Sequence, residues 1–126
     1  LYTERDFLAT YPSAVQDFVR ATLRGLADAL ADPDAAVAIA MDALAEDGNE
    51  LGLTEASERF RWSVDSQIIR DGVTPELPLG LPDHAGLENE VTIYAEAGYF
   101  GGVEPIIDGL FEPSVVAELY LSLIHI

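Results

Sequence analysis

The sequence predicts a mainly α chain, and three observations carry that reading. Apolar residues recur at spacings of three and four along several stretches. Asp-Pro, Thr and Asp stand where helices would need a first cap, and Gly or Asn where they would end. Alternation of apolar and polar residues, the mark of a half-buried strand, is confined to a possible strand at Leu1–Thr3.

The first clear element starts at Pro12, because proline fits the opening position of a helix, where its missing N–H would have no partner anyway. Val15, Phe18, Val19, Leu23, Leu26 and Leu30 draw one apolar stripe along it. Asp32-Pro33 then predicts a restart, with the carboxylate free to cap exposed N–H groups, and a second helix to about Glu46 whose stripe is Val37, Ala40, Met41 and Leu44. Asp47-Gly48-Asn49 supplies residues that tolerate left-handed backbone at a helix end.

Thr54 is the expected cap of a third helix running to about Arg70. Its pattern is unusual: Ala56, Phe60, Val64 and Ile68 share one face, whereas Trp62 and Ile69 lie nearly opposite at 100° per residue. Three prolines and Gly80 make residues 73–82 an irregular loop. Asp83 caps a fourth helix, with Leu87, Val91, Tyr94 and Ala95 inward and Gly98 as terminator, and a short helix follows Glu112-Pro113 with Val116, Leu119 and Tyr120 available to pack. Four or five such helices form either a free bundle or the outer layer of an α/β domain, and periodicity does not separate the two.

Composition narrows the function classes. Six arginines and no lysine stand against 23 acidic residues, a formal charge of −17, so nucleic-acid binding is not expected. Such a Lys-free acidic surface suits concentrated salt or a GC-rich genome. With no Cys there is no thiol nucleophile, thiolate metal site or disulfide, and no apolar run is long enough to span a bilayer. The chain begins at Leu1 without an initiator Met or a basic-apolar leader, so neither a signal peptide nor its absence can be read and the N-terminus is taken as cut. Residues 121–126, Leu-Ser-Leu-Ile-His-Ile, resemble the in-frame translation of a sequencing-adaptor end; the alternative is a short apolar tail. Residues 1–120 are then the protein's own domain sequence.

Catalytic constellations are sparse. With the tail set aside His84 is the single histidine, placed in a first helical turn where a solvated imidazole is the expected role. Acidic pairs such as Asp32/Asp34 and Glu88/Glu90 have no metal-ligand spacing, and no glycine-rich phosphate loop joins a strand to a helix, so no metal, cofactor or enzymatic activity is expected. Trp62, on the side of its helix away from the main stripe, is the leading ligand-contact candidate, with Tyr2 at the possible strand as a weaker one. The competing role for Trp62 is packing between its helix and a neighbour.

Three stretches carry a family likeness. Phe7 to Gly25 (FLATYPSAVQDFVRATLRG), Ala29 to Val37 (ALADPDAAV), and Gly80-Leu81-Pro82-Asp83 with Ala95 to Phe100 (AEAGYF) resemble the C-terminal part of substrate-binding proteins of ABC importers. The closest likeness is to those that bind thiamine pyrimidine precursors, related to binders of nitrate, sulfonate and taurine. The resemblance implies the C-terminal helical part of an α/β type 2 periplasmic-binding fold, in which two lobes close on a solute. It further implies a non-enzymatic protein outside the cytoplasm, anchored by lipid if at all, a monomer in full-length form, whose partners are a small-molecule solute and the membrane-spanning permease subunits. Relatives often carry an aromatic residue at the position of Trp62. Two other classes stay open: a free-standing acidic helical interaction domain using Trp62 and Ile69, and a pyrimidine-precursor synthase of the same fold, which would need an iron-binding His-rich segment that this sequence does not show.

Overall fold

Proline and the residues around it decide where the helices break. The computed structural model describes residues 1–49, 51–103 and 105–123; residues 124–126 of the expected tail lie outside them. Among the described residues there are helices and connecting segments and no strand. They fall into two compact units, Leu1–Glu76 and Leu77–Ile126.

In the first unit, α1 (Arg5–Thr10) precedes the helix expected at Pro12. Six residues are too few for a periodic signal to register, and its C-terminal end is held by the ring of Phe7 tilted on Tyr11 at 5.1 Å. The strand expected at Leu1–Thr3 does not form: these residues have no regular structure, and among the described residues no strand is present to pair their backbone. Helix α2 spans Pro12–Ala31 and α3 spans Pro33–Glu46, with Asp32 between them accepting from the Ala35 N–H at 3.0 Å.

At its far end α3 closes with Gly48 at φ 85° and Asn49 at φ 44°. The Asn49 N–H donates to the Leu44 carbonyl at 2.8 Å, wrapping the chain back on the last turn. Its side chain then grips Leu53 twice, donating to the Leu53 carbonyl at 2.8 Å and accepting from the Leu53 N–H at 3.0 Å. Thr54 caps α4 (Glu55–Gly72) through a reciprocal pairing with Ser57, in which the Thr54 hydroxyl accepts from the Ser57 N–H and the Ser57 hydroxyl accepts from the Thr54 N–H.

Helix α3 packs on both α2 and α4, most extensively on α4. Val37 is the buried apolar side chain at this junction, 4% exposed, with Ala40, Met41 and Leu44 half-buried around it. The stripe of α2 is half-buried at Val15, Val19, Leu23, Leu26 and Leu30, but Phe18 is exposed.

The second unit holds α5 (His84–Glu96) and α6 (Ser114–Leu123), each following an irregular segment rich in proline or glycine. Asp83 caps α5 by accepting from the Gly86 N–H at 2.9 Å. A Cβ at residue 86 would sit 2.3 Å from the Asp83 Oδ2, so a side chain there would have to displace the capping carboxylate. Leu87 and Val91 are half-buried as expected, whereas Tyr94 and Ala95 are exposed rather than inward. Leu119 is buried, and the Tyr120 hydroxyl donates to the Leu79 carbonyl at 2.7 Å, tying α6 to the proline-rich loop.

The Asn49 clamp sets the α3–α4 connection through two separable effects. Asn49→Gly keeps the left-handed backbone and removes both side-chain bonds, so urea unfolding should show a loss of about 1 kcal/mol. Asn49→Ala removes the same bonds but keeps a Cβ at positive φ, as asparagine does, without the carboxamide that lets asparagine tolerate that backbone, so it should cost about 1 kcal/mol more than the glycine variant; equal losses in the two variants would show that the backbone angle carries no cost.

Candidate functional site

Along α4, residues 58, 62, 66 and 70 fall on one row at i, i+4 spacing, and residues 56, 60, 64 and 68 on a second row about 200° away. The apolar second row looks like the packing face. The structure packs the first row instead. Glu58 and Ser66 are buried at 6% and 2% exposure, Trp62 and Ile69 are half-buried, and Phe60, Val64 and Ile68 stand in solvent at 73%, 44% and 66%.

The reason lies in the Asp32-Pro33 corner. In a continuing helix the Ala29 carbonyl would accept from the N–H of residue 33, and proline has none. The indole N–H of Trp62 reaches that carbonyl at 3.3 Å. One residue on, the Leu30 carbonyl accepts from the Arg70 guanidinium at 2.5 Å, and the same guanidinium lies 3.4 Å from the Ser66 hydroxyl. Arg59 adds a third tie, pairing with Asp34 in the first turn of α3 and with Glu55 at 2.8 Å. Helix α4 is therefore oriented by donors aimed at a helix end as well as by the apolar contact of Trp62 and Val37.

Trp62 and Val37 line two shallow concavities, of about 280 Å³ and about 220 Å³. The larger is bordered by Pro33, Asp34, Arg59, Ser63, Ser66 and Arg70, the smaller by Ala29, Ala36, Ala40, Glu58 and Arg61. Both fall below the roughly 300 Å³ at which pockets that enclose a small organic ligand begin. Trp62 thus takes the packing role and also presents ring surface beside two arginines. Tyr2 is fully exposed in the irregular N-terminal segment, and its own unit does not bring it to Trp62.

Glu58 is the charged group nearest the packed side. The Arg61 guanidinium donates to its Oε2 twice, at 2.6 and 3.1 Å, and also reaches Asp65 at 3.0 Å. Hydrogen bonding from Arg61 lowers the Glu58 carboxyl below its ordinary range, against an opposing push from desolvation, and the same pairing raises the Arg61 guanidinium. In the second unit the His84 imidazole lies 3.6 Å from the Glu88 carboxylate and meets the ring of Phe111 edge-on at 6.1 Å. Hydrophobic periodicity missed Arg70, Ser66 and Glu58 because it scores apolar residues. The 58-62-66-70 row, read together with the proline four residues after Ala29, was the available signal.

Because the Glu58 titration is depressed in the folded state, its contribution is present above the unfolded value and is lost as pH falls through the folded one. Glu58→Gln should therefore be less stable than the wild type at neutral pH, with the gap closing on acidification below the ordinary carboxylate range. Urea midpoints measured across that range check it, and a pH-independent gap would contradict the assignment.

Among the described residues no helix is long and apolar enough to cross a membrane. No curated protein and no solved structure matches the chain. Residues 1–36, which cover α1, α2 and the Asp32-Pro33 corner, match the family described as NMT1/THI5 like.

Proposed function

We propose that this chain belongs to the solute-binding component of an ABC importer, which captures a small organic nutrient reversibly outside the cytoplasm and delivers it to the membrane permease. The observation that carries the reading is the match over residues 1–36, which takes in α2 and the corner that organises the first unit. The solute class suggested by the sequence likeness is a thiamine pyrimidine precursor or a related aromatic or sulfonate compound. Solute would act by favouring a closed arrangement through its differential contacts, with no covalent step and no bound cofactor.

The bare apolar residues support the same reading. Phe18 on α2, Ile39 on α3 and Phe60 and Ile68 on α4 each stand at 62% exposure or more. Helices of an α/β layer are expected to present such faces to a sheet. Trp62 is the proposed solute-facing aromatic, since its flat ring borders an open concavity with Arg59 and Arg70 at its edge. Tyr2 is retained as a second contact, on its full exposure alone.

One observation favours a different class. The Phe60, Val64 and Ile68 row forms a continuous exposed stripe of the kind that an amphipathic partner helix covers, as in a helical interaction domain. Isothermal titration of the native protein against pyrimidines, flavins and sulfonates separates the two. Saturable one-to-one binding of one solute class, weakened about tenfold by Trp62→Ala, is the expected result; no heat with any class, together with recovery of a protein partner that Phe60→Ser releases, would favour the interaction domain.

A further inference from the structure

The second unit contains eight acidic residues and neither Lys nor Arg, since every arginine lies at or before Arg70. Its carboxylates have no guanidinium or ammonium of their own unit to pair with. On α5, Leu87 and Val91 are half-buried, while Glu90, Ile93, Tyr94 and Glu96 are all exposed. Ile93 thus stands bare on the side away from the packing residues, with a glutamate toward either edge.

The aromatic part of this face is fixed in place. Gly98 takes φ 81°, the Tyr99 N–H donates to the Tyr94 carbonyl at 3.0 Å, and the Gly98 N–H donates to the Ala95 carbonyl at 3.0 Å. This glycine-terminated ending brings the residue after the glycine back onto the last turn. Tyr94 and Tyr99 accordingly meet edge to face, with centroids 5.3 Å apart, while Tyr99 keeps 76% exposure. Two phenol rings in mutual contact and an isoleucine thus stand in solvent beside the carboxylates of Glu90 and Glu96, on backbone already ordered by the helix ending.

We propose that the face of α5 formed by Glu90, Ile93 and Glu96, bordered beyond Glu90 by the Tyr94–Tyr99 pair, docks a basic amphipathic segment of another protein. Cationic side chains would meet the glutamates and the phenol faces, and an apolar residue would cover Ile93. Charge selects this occupant over two others. A second copy meeting it face to face brings the same carboxylates, and an anionic bilayer repels it. One helix face with one added ring is small beside the roughly 800 Å² per partner of a stable interface, so the complex is weak and salt-sensitive. The inference does not depend on the importer reading.

The test uses a fluorescent Lys/Leu amphipathic helical peptide as probe, with a Lys/Ser peptide of equal charge as comparator, both titrated by anisotropy. The acidic pair is removed by E90Q/E96Q, and D42N/E46Q on α3 removes the same charge elsewhere. Circular dichroism checks that each variant folds. E90Q/E96Q should weaken the Lys/Leu peptide about fivefold and D42N/E46Q less than about twofold. Tyr99→Ser should weaken it about fivefold as well, and binding should fall about tenfold between about 50 and about 300 mM salt. Equal losses in the two charge pairs, or equal affinity for the Lys/Ser peptide, would overturn the proposal, because attraction would then be diffuse. Tight association with anionic vesicles, or self-association abolished by E90Q/E96Q, would overturn it in favour of a lipid or a second copy.

Discussion

A missing backbone hydrogen bond organises the first unit. Pro33 removes the N–H that would have served the Ala29 carbonyl, the chain turns, and the end of α2 is left with acceptors that no residue of α2 or α3 satisfies. Trp62 and Arg70 answer two neighbouring carbonyls from the same side of α4. Their separation of eight residues places both on one row of that helix. This requirement fixes the rotation of α4 about its own axis. Once Trp62 and Arg70 must point at α2, residues 60, 64 and 68 must point away, apolar though they are. Left unpaired, the part-buried Ala29 carbonyl would cost about 1–3 kcal/mol, a cost comparable with the gain from burying a single large apolar side chain; the Arg70 bond to Leu30 is exposed and adds direction more than energy.

That balance explains why the unit buries so little apolar surface of its own. Val37 is the buried apolar side chain where α3 meets its neighbours, and the stripes of α2 and α4 are only partly used. Helices shaped this way are suited to covering something else. In the importer reading the bare faces of Phe18, Ile39 and Phe60 complement a sheet, and the match over α1 and α2 is consistent with that role. In the second unit the surplus is different in kind. There the exposed apolar groups lie among carboxylates with no Lys or Arg in the unit, which is why the partner proposed for it differs from a sheet or an apolar helix.

Most of the helical organisation was legible in the sequence. Pro12, Asp32-Pro33, Thr54 and Asp83 each mark a start that the structure keeps, because caps and prolines act locally and need no tertiary context. The turn at Gly48-Asn49 was legible for the same reason. Helix α1 was not, since six residues give no period to read. The packed face of α4 was not either: apolar periodicity points to Phe60, Val64 and Ile68, while hydrogen-bond demand from a helix more than thirty residues earlier in the chain decides for Trp62. Trp62 stood out as the odd aromatic, but its partner, the Ala29 carbonyl, has no side-chain signature at all. Tyr2 drew attention only through a strand that does not form.

Trp62→Phe tests this view of the corner most directly, because phenylalanine keeps an aromatic ring at the junction and deletes the one N–H that serves Ala29. Followed by far-ultraviolet circular dichroism in urea at neutral pH, the variant is expected to lose about 1 kcal/mol of unfolding free energy. Stability equal to that of the wild type would mean that the carbonyl does not need the indole, and that something other than the prolyl corner sets the orientation of α4.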